Sequence, residues 1–474
     1  MTTNAPTNNS NFRNNLIFIA DVVLFFILLK VLPFTPEANK GLALLVFVAV
    51  LWLTEALHVT VTALLIPLLA IGLGLVKSKQ ALIAFADPTI FLFFGGFALA
   101  TALHIQKLDR LIANKIMALS KGKLSVAVLY LFGVTAFLSM WMSNTATAAM
   151  MLPLAMGILS KLDRDAHHNT YVFVLLGIAY SASIGGMGTL VGSPPNAIVA
   201  SQLHLTFADW IKYGLPIMLI LMPLMVGTLY VVFKPKFNIS FDQQFEKIEL
   251  NRQRVLTLVI FLFTALFWVF SSQLNPWISE LLGISGKIGS FDSIVALTAA
   301  AVVCITRVAS WQQVQEGTEW GVLFLFGGGL TLSEVLGQTG ASKIMADGIV
   351  SLIEGGHFYV IGLIVATFII FLTEFTSNTA SAALLVPIFI SIAQALNMPP
   401  LGLALIIGLG ASCAFMLPVA TPPNAIVFGT GEIKQTEMVK AGFWLNIICI
   451  LVIATIGYLF WLDSFAKFFA NLTG

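Results

Sequence analysis

The chain carries the same polar insert twice. Ser-Asn-Thr-Ala-Thr-Ala-Ala-Met-Met-Leu-Pro at 143–153 returns at 377–387 as Ser-Asn-Thr-Ala-Ser-Ala-Ala-Leu-Leu-Val-Pro, identical at seven of eleven positions. Gly192-Ser193-Pro194-Pro195-Asn196-Ala197-Ile198-Val199 likewise returns as Ala420-Thr421-Pro422-Pro423-Asn424-Ala425-Ile426-Val427. Phe91-Leu92-Phe93-Phe94-Gly95-Gly96 pairs with Phe324-Leu325-Phe326-Gly327-Gly328-Gly329. The three offsets are 234, 228 and 233, in the same chain order, so the two halves are copies of one plan. Polar, helix-breaking cassettes at matching places in two apolar halves are the mark of a transporter whose binding site is built from repeats.

The apolar background is extreme. Hydrophobic residues make up 58% of the 474 residues and charged ones 10%, with a mean hydropathy of +0.95. A soluble domain is roughly a quarter charged, so this composition predicts a polytopic, all-α membrane protein. A net charge of +2 points neither to nucleic acid nor to a polybasic membrane patch. Cys304, Cys413 and Cys449 lie in apolar runs and read as packing residues, without disulfide or metal spacing. The first 14 residues are polar and precede no cleavable signal pattern, so the first span is expected to be retained as an anchor.

Apolar runs predict eleven crossings, at about 15–33, 41–56, 59–76, 88–106, 171–200, 213–233, 255–271, 289–306, 319–337, 400–430 and 441–465. Two further stretches, 125–159 and 358–395, carry Ser-Asn-Thr near their centres. Their arms, about 15 residues each, are short for a full span, and polar irregular backbone at membrane depth needs a protein or cavity cover. They are therefore expected to be re-entrant hairpins. Each repeat then holds five crossings and one hairpin. Five is odd, so the second copy is inverted. The implied division is an N-terminal tail and first helix (1–40), a first inverted repeat (41–236), a cytoplasmic linker (237–254) and a second inverted repeat (255–474). The hairpins lie at 125–159 and 358–395, the broken helices at 171–200 and 400–430. With the N-terminus inside and the C-terminus outside, 16 of the 24 basic residues fall on the cytoplasmic side, Lys247 among them, with Lys467 outside.

The cassettes are chemically specific. Hairpin tips and broken helices leave backbone groups without intrahelical partners. Free carbonyls, Ser and Thr hydroxyls and Asn amide oxygens are hard neutral ligands for an alkali cation. Asn and Thr can also donate to a carboxylate. Pro-Pro stops a helix. With no Arg, Lys or His in the cassettes, an anionic substrate must be neutralised by helix N-termini and co-bound cations. Taken singly, Ser-Asn-Thr reads as interhelical hydrogen bonding, Pro-Pro as a kink, and Phe-Gly-Gly as close packing; duplication in register favours function for the first two. Glu374 is expected to orient the second tip or help hold a cation, Met140 being its counterpart in the first. Asp21, Glu55, Asp87, Asp209, Asp292 and Glu334 are expected to be solvated or capping residues near span ends, and most tryptophans to form an interfacial belt. The histidines suggest no metal site.

Paired Ser-Asn-Thr motifs, each followed by a Ser/Thr-Pro-Pro-Asn-Ala loop, resemble the divalent anion:sodium symporter (DASS) family, which includes Na⁺/dicarboxylate and Na⁺/citrate cotransporters. The resemblance covers the chain from about residue 15. It implies eleven helices plus two hairpins, a homodimer in the lipid bilayer and an elevator-type mechanism. It implies one Na⁺ site at Ser139, Ser143, Asn144 and Gly192, and a second at Thr373, Thr376, Asn378 and Ala420. It implies substrate contacts from Asn144, Thr145, Ser193, Ser377, Asn378, Thr379, Thr421 and Pro422. Succinate, malate and fumarate are the implied substrates, with citrate as an alternative. Na⁺ is the coupling ion, and neither an organic cofactor nor another metal is expected.

Rival readings are a Na⁺-independent dicarboxylate exchanger, a carrier of sulfate or another divalent anion, a channel, and a membrane-embedded enzyme. The spans lack paired protease aspartates, a His-Glu-x-x-His zinc site, a Ser-His pair and an ATP-hydrolysing motif. The short N-terminus and the lack of long outside loops favour a bacterial inner membrane.

Overall fold

The computed structural model describes residues 8–237, 248–353 and 357–461, and every regular element in them is helical. The first seven residues, 238–247 of the expected linker and the stretch from 462 onward lie outside the described residues, and with them Lys247 and Lys467.

Nine helices among the described residues are long and apolar enough to cross a membrane. The expected crossings correspond to helices throughout. Some are shorter than a full span, as with Val59–Gly72 and Phe291–Ile305. Two are broken: His168–Gly186 is followed by Pro194–Leu203, and Pro400–Gly410 by Pro422–Phe428. Proline occupies the first helical position after each break, where its missing N–H costs nothing and its fixed φ suits a helix start. The two Ser-Asn-Thr stretches fold as hairpins, Leu124–Ser139 with Asn144–Leu159 and Phe358–Thr373 with Asn378–Ala395, and the arms of each pack on one another. The last arm has 18 residues, longer than the run lengths suggested.

Two compact units are present. Among the described residues, one comprises those up to 87, those of 320–411 and those from 454 on; the other comprises those of 88–319 and 412–453. They cut across the sequence repeats, because the repeats record duplication and the units record contact. In the second unit the axis is His168–Gly186, buried at every position from Thr170 to Gly186. Both arms of the first hairpin, Phe207–Phe233 and Pro422–Phe428 pack around it. In the first unit the corresponding core helix is Pro400–Gly410, buried from Gly402 to Gly410, with both arms of the second hairpin against it. The first half of each broken helix is therefore the centre of its unit.

Small residues make this packing possible. In lipid there is no hydrophobic drive between helices, so association depends on close van der Waals contact and hydrogen bonds. Gly95 lies directly on Ala296, and Gly328 on Ala63, with no space for a side chain. The Phe-Gly-Gly segments are thus contact points between helices.

The acidic residues are less uniform than expected. Asp209 forms a capping box with Thr206, and Glu334 accepts from Gln80 (2.8 Å). Asp292, by contrast, is buried and accepts from the Phe207 N–H (2.7 Å). Asp21 lies within the first helix, 3% exposed, and neither carboxyl oxygen has a partner. The tryptophans also divide. Trp277, Trp311, Trp320 and Trp444 are exposed, but Trp52 and Trp210 are core residues whose indole N–H groups bond to Val59 O and Met187 O.

Candidate functional site

The first cassette converges on one point in the second unit. Ser143 is extended (φ −61°, ψ 143°) and caps the return arm, its Oγ accepting from Ala146 N at 3.3 Å. Ser139, at the end of the first arm, donates to Ala182 O at 2.7 Å and meets the Asn144 amide at 2.6 Å. Gly186 and Gly192 close the cluster from the broken helix. A Cβ on Gly192 would strike the Gly186 and Ser139 carbonyls, and one on Gly186 would strike the Asn144 amide and the Gly192 carbonyl. Oxygens of Ser139, Asn144, Ala182, Gly186 and Gly192 thus crowd together with few donors among them. The Asn144 amide can serve this arrangement in two ways. With NH₂ inward it donates to Ala182 O (3.1 Å), Gly192 O (3.3 Å) and Ser139 Oγ (2.6 Å). With Oδ1 inward, it joins these oxygens as a hard neutral ligand of the kind that suits an alkali cation. Thr145 projects beside them, exposed at the tip.

The break itself is held by a residue not assigned a role from the sequence. Asn196 Nδ2 donates to both Gly186 O and Thr189 O at 2.8 Å. These are carbonyls that the interrupted helix leaves without an N–H. The Thr189 hydroxyl donates to Met140 O, tying the break to the hairpin turn. Ser193 is buried, 3.3 Å from Ser412 Oγ.

The second cassette repeats the pattern. In the first unit Thr373 Oγ1 donates to Ala411 O (3.0 Å) and meets the Asn378 amide, as Ser139 engages Ala182 O and Asn144. Ser377 caps its arm through Ala380 N, as Ser143 does. Thr376 bonds instead to Ser381 (2.7 Å), and Glu374 is buried in the turn. Thr379 is half-buried. In the second unit Thr421 accepts from Asn424 N at 3.3 Å, and Asn424 Nδ2 donates to Ala414 O and Leu417 O at 3.0 Å. That is the Asn196 clamp again. Ala420 is half-exposed and Pro422 exposed. Tyr180 adds a support that the sequence did not single out, donating to Phe415 O at 2.6 Å. Asn196 and Asn424 could have been found, since both sit inside the duplicated Pro-Pro-Asn-Ala. Gly186 and Tyr180 have no such signal: neither lies in a duplicated string.

A cavity of about 510 Å³ in the second unit reaches Ser143 and is also lined by Thr101, His104, Arg110, Gln313 and Glu319. Among the described residues no group of His, Cys, Asp and Glu could hold a metal ion.

Two copies of a neutral oxygen cluster, each at a hairpin tip beside a broken helix, suit a carrier of charged solutes. Comparison with known proteins agrees. The citrate transporter family model, CitMHS, matches residues 49–408 and 370–468.

The chain belongs to the citrate transporter family.

A sodium-dependent dicarboxylate transporter, SdcS, of Staphylococcus saprophyticus is 33% identical over 489 residues, covering 96% of this chain and 93% of its own. The DASS resemblance read from the cassettes is borne out by these relatives. A transporter of Haemophilus influenzae is 74% identical over 450 residues, covering 95% and 98%. The crystal structure of the Alcanivorax borkumensis YdaH transporter shares the fold, with a TM-score of 0.59 at 13% identity over 95% of this chain and 98% of that one. Like its family, the protein is an integral membrane transporter and not an enzyme.

Proposed function

We propose that the protein is a secondary active transporter that couples Na⁺ to symport of C4-dicarboxylates such as succinate, malate and fumarate. The observation that carries this reading is the duplicated hydroxyl–Asn–carbonyl cluster, Ser139–Asn144–Ala182 and Thr373–Asn378–Ala411, formed without a basic side chain. A dianion brought to such groups needs countercharge, and neutral oxygens are suited to supply it by binding Na⁺. Ser139, Ser143, Asn144 and Gly192 are proposed as one Na⁺ site; Thr373, Thr376, Asn378 and Ala420 are proposed as ligands for a second Na⁺. Substrate carboxylates are proposed to meet Asn144, Thr145, Asn378 and Thr379, with Ser193, Ser377, Thr421 and Pro422 as further contacts. The sodium-dependent relatives at about one-third identity support Na⁺ coupling.

The elevator-type mechanism, the homodimer, the bacterial inner membrane and the cytoplasmic N-terminus belong to the same proposal and rest on the family resemblance and the Lys/Arg bias. The citrate transporter match favours Na⁺/citrate symport as the second reading.

Uptake of radiolabelled succinate into proteoliposomes, with an inward Na⁺ gradient against a K⁺ control, tests the proposal. Uptake that requires Na⁺, and that unlabelled succinate competes away, is the expected result. Uptake without Na⁺, only into vesicles preloaded with dicarboxylate, would establish an exchanger instead.

A further inference from the structure

The oxygen cluster of the first hairpin has a carboxylate at its edge that a purely neutral ligand set does not use. Glu319 and Ser143 line one cavity, and the Ser143 Oγ accepts from Ala146 N at the hairpin tip. One cavity therefore joins the carboxylate to the tip. Glu319 is exposed, and it opens onto the cavity of about 510 Å³ that also reaches Ser143. The chain bearing it is held in place: Gly317 packs so closely on Thr101 that a Cβ there would overlap the threonine hydroxyl. The cavity's other carboxylate, Glu316, is engaged by Gln312 at 3.0 Å.

A hard anionic oxygen at the mouth of a neutral oxygen cluster acts on a cation in two ways. Its field raises the local cation concentration. Its lone pairs also replace water as a small ion sheds its hydration shell. Arg110 lines the same cavity, so a carboxylate anion finds favourable charge there too. Lys107, Arg110 and Arg307 belong to the loops that the charge bias puts in the cytoplasm.

We propose, resting on the reading of Ser143 as a Na⁺ ligand, that Glu319 is the docking carboxylate through which Na⁺ passes between the cytoplasmic cavity and the cluster of Ser139, Ser143 and Asn144. It is a positioning residue for the cation, acting on one face of the membrane.

The test is Na⁺-dependent succinate flux in membrane vesicles of both orientations. Glu319→Gln keeps the size of the side chain but removes the charge. It is expected to raise half-saturating Na⁺ at the cytoplasmic face about ten-fold, the scale of one nearby partly screened charge, and to leave the external face within about two-fold. Glu319→Asp keeps the charge at shorter reach, and its cytoplasmic half-saturation is expected to fall between the two; it also serves should Glu319→Gln fail to accumulate. An equal shift on both faces would mean a merely structural role and would overturn the proposal, as would no shift on either. The wild-type vesicles separate the two readings. Absence of Na⁺ dependence on both faces sinks Na⁺ coupling itself, whereas intact dependence with an unshifted Glu319→Gln sinks the role of Glu319 alone.

Discussion

Asn196 reaches back across the break in its helix and donates to the Gly186 carbonyl at 2.8 Å. The same amide group takes Thr189 O at 2.8 Å, so a single side chain satisfies two carbonyls stranded by the interruption. The site is fully buried, and buried carbonyls without a donor are costly. Asn196→Ala is therefore expected to destabilise the protein by about 2–4 kcal/mol. A thermal unfolding scan of the detergent-solubilised variant measures this. An unchanged Tm would show that the clamp is dispensable.

Asn144 and Asn378 occupy matching places, each beside a hydroxyl that also holds a core-helix carbonyl. If these amides bind Na⁺ and substrate as proposed, Asn144→Ala or Asn378→Ala reduces uptake to background while the protein still folds. Transport assays, paired with size-exclusion profiles of the purified variants, check this. Normal transport by both would remove the site assignment.

Thr145 and Thr379 follow these asparagines; Thr145 is exposed and Thr379 half-buried. Their hydroxyls suit donation to a substrate carboxylate rather than to a cation. Thr145→Ala and Thr379→Ala are expected to raise the KM for succinate about ten-fold, near 1.4 kcal/mol for one lost hydrogen bond. Half-saturating Na⁺ should move much less. Titrating each solute with the other held saturating separates the effects, and an unmoved succinate KM would count against the role.

Gly192 and Gly133 provide a paired test of crowding. A Cβ at Gly192 would meet the Gly186 and Ser139 carbonyls, whereas one at Gly133 meets nothing. Gly192→Ala should push these oxygens apart and abolish Na⁺-driven uptake. Gly133→Ala, inside the first hairpin's first arm, should keep transport and stabilise its helix by up to about 1 kcal/mol. Uptake and thermal stability of both variants decide it. A transport-competent Gly192→Ala would rule out close backbone approach as a requirement.

Much of the site was legible because its information is local and duplicated. Ser-Asn-Thr and Ser/Thr-Pro-Pro-Asn-Ala are continuous strings in which the cap, the break and the polar side chain are neighbours. Ser143, Ser377, Pro194 and Pro422 therefore start helices where the strings say they should. The acidic and aromatic residues were harder to place. Asp21 and Asp292 were expected near solvent and are buried, and Trp210 is a core residue rather than a belt residue. Hydropathy marks that a stretch lies in the membrane but not which face of a helix turns to lipid.

The sequence by itself determined an all-helical membrane protein of two related halves, each with a hairpin and a broken helix. Composition and helix-stopping residues act within a few residues of where they stand. Only the tertiary structure decided that Gly186 closes on Asn144, that Asn196 bridges its own break, that Asn424 holds the Ala414 and Leu417 carbonyls, and that Glu319 and Ser143 line one cavity. Glu319 and Ser143 are far apart in the chain and share no repeat. They line one cavity because helix packing, which depends on the whole set of small-residue contacts, brings the hairpin tip to the loop that carries the carboxylate.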